Sequence, residues 1–228
     1  MARRIRGDAT AAAVMTAGSA TFLAGAFMPI SKVYVEGDPR RKLAILLADP
    51  VQWKAQQLLL AGGTAVMPVG VVLLARNWRA GNEEGSEELI RGQRLSRGAA
   101  VLLVAGAGLF LGHLKERYRD PAAFALGHQP AWPFLGYMWL SLAGMAALGG
   151  GLLVRATAPA VALPRVPRWP GRLNVGGAAV LGTVLAATGD LPPLLVYGIE
   201  LATGVALIRH LRRKTPPELI AEHSTTWT

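Results

Sequence analysis

The sequence predicts an all-α, polytopic membrane protein: a six-transmembrane-helix bundle of three in–out–in hairpins, with the N- and C-termini cytoplasmic. Three observations predict it. Of 228 residues, 52% are hydrophobic and only 17% charged, against roughly 25% charged in ordinary soluble domains. Six apolar runs approach or reach the ~20 residues that cross a hydrocarbon core as a helix. Lys and Arg also divide unevenly between the segments that alternate around those runs.

The runs cover about 9–30, 57–75, 98–115, 132–154, 173–189 and 191–208. Residues 1–208 thus form one transmembrane domain, and 209–228 a basic cytoplasmic tail. The first run follows Arg3, Arg4 and Arg6 and imitates a secretory signal peptide; an uncleaved first helix is expected. The third is short, and the apolar stem of Lys115 extends it by snorkelling. The fifth and sixth are joined by Gly189-Asp190-Leu191-Pro192-Pro193, a tight hairpin, because Pro-Pro cannot continue a helix interior. No run alternates with period two, so no β-barrel is expected.

With the N-terminus inside, the inner segments hold two-thirds of the 24 basic residues. These are Arg3, Arg4, Arg6, Arg76, Arg79, Arg91, Arg94, Arg97, Arg155, Arg165, Arg168, Arg172, Arg209, Arg212, Arg213 and Lys214. The outer segments hold Lys32, Arg40, Arg41, Lys42, Lys54, Lys115, Arg117 and Arg119. The formal charge of +10 is therefore chiefly an orientation signal. It implies contact with the lipid bilayer and its anionic headgroups, and no nucleic-acid partner. The outer basic patch of Arg40, Arg41, Lys42, Lys115, Arg117 and Arg119 points to headgroups or an acidic partner. Tyr34, Tyr118, Tyr137, Tyr197, Trp53 and Trp132 fall near the outer boundary and Trp78 and Trp169 near the inner one, as interfacial anchors would.

Between the spans, residues 40–48 set three charges beside six apolar residues, a short helix lying in the outer interface. The inner loop 77–97 is polar, with Ser86 an N-cap before Glu87-Glu88. The inner loop 156–171 carries four prolines and reads as an extended linker. Segment 224–228 reads as disordered tail. A candidate internal repeat is visible. GVVLLAR (70–76), GGGLLVR (149–155) and TGVALIR (203–209) end three returning helices. Trp53 precedes Arg76, and Trp132 precedes Arg155, by the same 23 residues. Asp38-Pro39 and Asp120-Pro121 stand upstream of those Trp, and AGSATFLAG (17–25) resembles AGAGLFLGH (105–113).

Chemistry-bearing residues are few. Glu200 lies near mid-depth of the sixth span, where an ionised carboxylate is costly without a partner. Tyr197 and Thr203 share its helical face and complete an intramembrane polar site. His113, Glu116 and Asp120 at i, i+3 and i+7, with His128 after them, form a candidate metal set. Lys115, Arg117 and Arg119 interleave with it, which favours a solvated basic rim. Ala9, Ala13, Ala17 and Thr21 form one small-residue stripe, and Thr16, Ala20 and Ala24 an adjacent one. Such stripes let helices approach closely; packing within the chain is the first expectation and docking of another subunit the second.

The stretch Glu87-Glu88-Leu89-Ile90-Arg91 falls one residue short of the Glu-Glu-x-x-x-Arg prenyl-protease signature. The last hairpin resembles that of the six-helix twin-arginine translocase subunit, whose pattern the rest of the chain does not follow. No catalytic residue and no resident cofactor is expected. Zero Cys removes thiolate metal sites and Cys nucleophiles; bound lipid is expected, and metal or pigment stays open. The leading functional expectation is a non-catalytic structural or accessory subunit of a larger complex in the bacterial inner membrane, meeting other membrane subunits or itself. The alternative is a transporter or channel for a small solute, proton or cation using Glu200.

Overall fold

The computed structural model describes residues 2–79, 87–157 and 166–213. The loop segments around Ser86 and 158–165, and the tail beyond Arg213, lie outside the described residues. Among the described residues eight α-helices follow in order: α1 (Ala2–Ala26), α2 (Pro39–Ala48), α3 (Pro50–Arg79), α4 (Glu87–Arg119), α5 (Pro121–Ala125), α6 (Trp132–Thr157), α7 (Arg168–Thr188) and α8 (Leu194–Arg213). A 3-10 turn, Pro29–Tyr34, follows α1, and no strand occurs among the described residues. By length and composition α1, α3, α4, α6 and α8 can each cross a membrane. The chain is thus an all-helical protein with several membrane-crossing helices. α7 is outside that group: Arg172, Asn174 and four glycines dilute its apolar stretch.

Helix ends differ from the sequence expectation for local reasons. α1 stops at Ala26, because Pro29 opens the 3-10 turn. α3 starts at Pro50 rather than near 57, because the Asp49 side chain accepts from Gln52 N at 2.9 Å and caps it. α4 starts at Glu87 and carries 87–97 of the expected polar loop as helix. α8 starts at Leu194, after Pro192-Pro193. Gly189 ends α7 in the left-handed region at φ 70°, with its N–H on Leu185 O.

α2 and α5 are equivalent elements. Each begins with Pro, and each is capped by the preceding Asp. Asp38 accepts from Arg40 N, and Asp120 from Ala123 N, both at 2.8 Å. The two short helices touch and close one end of the bundle, called here the cap end. Asp38→Ala and Asp120→Ala are each expected to lower unfolding free energy by about 1 kcal/mol, measured by denaturant titration in detergent.

The long helices pack in a ring: α1 on α3, then α4, α6, α7, α8, and α8 back on α1. Three antiparallel hairpins build the ring. In the first, a Cβ on Gly63 would stand 2.5 Å from Phe22 N and 2.7 Å from Gly18 O, so only glycine lets α1 and α3 approach this closely. In the second, Gly106 lies against Leu140 and Tyr137, and Gly144 against Leu103. In the third, Gly177 lies against Ile199. The core is filled by Met15, Met67, Met138 and Met145 and an aromatic group described below.

Candidate functional site

α8 turns Tyr197, Glu200, Thr203, Gly204, Leu207 and Leu211 inward, all of them buried. The i, i+3, i+4, i+7 spacing makes these one helical face. Tyr197 donates from its hydroxyl to Thr64 Oγ1 at 3.0 Å and stacks on Phe22 at 3.7 Å between centroids. Thr64 stands four residues before Pro68, which sits inside α3 and cannot donate to the Thr64 carbonyl. Asn174 Nδ2 donates to Thr203 Oγ1 at 2.6 Å and to Pro170 O at 2.9 Å, tying α7 to α8.

Glu200 has no exposed surface, and neither carboxylate oxygen has a hydrogen-bond partner. Ser19 Oγ on α1 is also buried without a partner. Register brings the two level. Phe22 stacks on Tyr197 at one end of the α1/α8 contact, and Ala12 and Thr16 meet Gly204 at the other. In an antiparallel pair that sets Ser19 opposite Glu200. Both belong to inward faces of the ring, so the middle of the bundle holds a carboxyl and a hydroxyl with unused hydrogen-bonding capacity. A sealed carboxylate charge costs several kcal/mol without compensation. A proton or a cation must therefore accompany it.

Two plugs enclose this centre. Toward the cap end, rings run Tyr197–Phe22–Phe110–Tyr137, with centroid separations of 3.7, 6.3 and 4.3 Å. Toward the end where α1 begins and α8 ends, Asp8 on α1 and Arg155 on α6 form a buried ion pair. The Arg155 guanidinium lies 4.9 Å from the Trp78 ring centroid. α1 and α6 are not neighbours in the ring, so this pair crosses its interior. From Asp8 to Ser19 is about 16 Å along α1.

Sequence reasoning missed Asp8, Arg155 and Ser19. Arg155 read as a boundary charge. The available signal was Asp8 itself, the one acid among the first 35 residues. Tyr137, Tyr197, Trp53 and Trp78, expected as interfacial anchors, are buried among protein side chains, Trp53 in the small apolar cluster at the cap end. Each carries a large apolar ring that gains from such burial. Trp132 and Trp169 remain exposed.

The four candidate metal ligands do not gather. His113 is buried, Glu116, Asp120 and His128 are exposed, and the Asp120 side chain is spent capping α5. No group of three or more His, Cys, Asp or Glu placed to hold a metal occurs among the described residues. The small-residue stripes divide: Ala13, Ala17, Ala20 and Ala24 are exposed, while Ala9, Thr16 and Thr21 are half-buried, with Thr16 against Gly204 of α8 and Thr21 beside Gly62 of α3. α1 makes its closest approaches within the chain through Ala11, Ala12, Gly18 and Gly25.

The basic patch divides. Arg40, Arg41, Lys115 and Arg119 are exposed. Arg117 is half-buried in an aromatic box, 4.6 Å from the Phe124 centroid and 5.6 Å from that of Tyr34. Trp53 stacks on Phe124 and donates its Nε1 to Arg117 O at 3.3 Å. Tyr34 accepts from Gln57 Nε2 at 3.0 Å. Burial pushes the Tyr34 phenol above its ordinary pKa, and the nearby Arg117 charge offsets part of that rise. No protein-family model, curated protein or solved structure matches the chain.

Proposed function

We propose that the chain is a six-span protein of the bacterial inner membrane, termini cytoplasmic, serving as a non-catalytic structural or accessory subunit of a larger membrane assembly. α7 is the sixth span in this reading. Its 21 residues are long enough, and the inner excess of Lys and Arg sets the orientation.

The observation that carries the proposal is the outward alanine ridge of α1. Ala13, Ala17, Ala20 and Ala24 are exposed at i, i+4, i+7 and i+11. Ala105, Gly108 and Gly112 expose a shorter small-residue ridge on α4. Small residues facing lipid forgo side-chain contact, whereas against another helix they allow close backbone approach. Other membrane subunits or a second copy are the partners, with lipid filling the remaining surface.

Cysteines introduced singly at Ala17 and Ala20 are expected to crosslink in native membranes to a neighbouring subunit. Cysteines at Val180, on exposed α7, serve as the control. A clean monomer in mild detergent, without crosslinked product from either ridge position, overturns the proposal.

A second reading is favoured by one observation, the two unpartnered oxygens of Glu200. In it Glu200 takes up and releases a proton or small cation, and the ionic and aromatic plugs open alternately.

A further inference from the structure

The cap end gathers cations without matching anions. Arg117 and Lys42 lie against the same Phe124 ring, at 4.6 and 5.5 Å from its centroid. Lys54 lies 5.8 Å from the Tyr118 centroid on the adjoining turn. The described ion pairs, Arg41–Asp38 and Arg155–Asp8, use none of the three. Most carboxylates nearby are otherwise engaged: Asp38, Asp49 and Asp120 cap helices, and Glu36 accepts from Asp38 N; Glu116, beside Arg117 in sequence, is exposed and forms no ion pair with it. The Tyr34 hydroxyl accepts one hydrogen bond from the Arg117 side chain, and Asp190 acts on it only through space. Arg117 Nε is buried with no acceptor, and one helical turn deeper His113 Nε2 is buried without a partner. A half-buried guanidinium with an idle donor is costly unless something supplies an acceptor.

We propose that this end of the bundle binds a phosphate group, with Arg117 as its principal ligand and Lys42 and Lys54 as flanking charges. The guanidinium fork matches phosphate oxygens, and the Phe124, Tyr34 and Trp53 box holds it in place. The box offers the guanidinium one oxygen, the Tyr34 hydroxyl; its ring faces orient the cation, and Nε and the remaining donors are left for the anion. Depth identifies the source. The buried apolar run of α4 ends at Leu114, and exposed Tyr118 and Trp132 ring the same level. Such residues mark the boundary between hydrocarbon and headgroups. The phosphate is that of an anionic phospholipid headgroup.

The test uses the full chain in detergent, with melting followed as dioleoyl-phosphatidylglycerol, dioleoyl-phosphatidylcholine or inorganic phosphate is added. Phosphatidylglycerol is expected to raise the melting temperature at several-fold lower concentration than phosphatidylcholine. Arg117→Gln and the surface double variant Lys42→Gln/Lys54→Gln are expected to shift its half-effective concentration upward, about fivefold for each cation removed. Should Arg117→Gln fail to fold, the double variant and Arg117→Lys, which keeps charge without the fork, carry the comparison. An equal rise with inorganic phosphate alone supports the site and assigns it to free phosphate. Equal responses to the two lipids, or an undiminished phosphatidylglycerol response in the double variant, overturn the proposal.

Discussion

Arg155→Met is expected to destabilise the bundle by about 3–5 kcal/mol, because it leaves the Asp8 carboxylate buried and uncompensated. Asp8 already holds one oxygen, Oδ1, without a partner, so nothing in place can absorb the lost guanidinium. Asp8→Leu is expected to cost a similar amount from the other side. Its penalty is partly relieved by the face of Trp78, against which the cation lies. The double variant Asp8→Leu/Arg155→Met removes both charges, fills both positions with apolar side chains and is expected to recover most of the loss. The readout is a double-mutant cycle from denaturant midpoints in one detergent. A coupling below about 0.5 kcal/mol means that the two residues act independently, and the picture of an ionic plug across the ring is then wrong.

Much of the fold was legible because membrane helices announce themselves by composition. The runs beginning near Ala9, Gln57 and Trp132 needed no more than length and apolarity, and the charged, apolar stretch 40–48 became α2. Asp-Pro at 38–39 and 120–121 was visible as a recurring pair, and its physical meaning, an N-cap followed by proline at the first helical position, appeared only with α2 and α5 in place. What composition could not give was direction around each helix. On α1 the alternatives Ala13/Ala17/Ala20/Ala24 and Ala11/Ala12/Gly18/Gly25 are both small-residue faces. Which one meets α3 depends on Gly63 and Gly70, on another helix. Glu200 was conspicuous because a lone carboxylate within an apolar run violates the solvent. Asp8 and Arg155 hid because each sits where a boundary charge is ordinary, 147 residues apart in sequence. Only the ring brings them together.

Glu200→Leu is expected to stabilise the protein by about 1–3 kcal/mol, since it exchanges two buried, unpartnered oxygens for an apolar side chain of similar size. Glu200→Gln, which keeps shape and polarity, is expected to fall between Leu and the wild type. The series separates two explanations of why a carboxyl occupies the middle of the bundle. If it held α1 and α8 together through Ser19, Leu would cost stability, and Ser19→Ala would cost nearly as much. If it is there to bind a proton or cation, both substitutions leave the fold intact or tighten it. The loss then appears only in uptake, followed with a pH-sensitive dye trapped in proteoliposomes. A Leu variant weakened by as much as a core cavity, about 3 kcal/mol or more, assigns Glu200 to the fold and removes the transport reading. A Leu variant more stable than the wild type means that the native residue lowers the protein's stability. Such a site is the kind that function, rather than packing, retains.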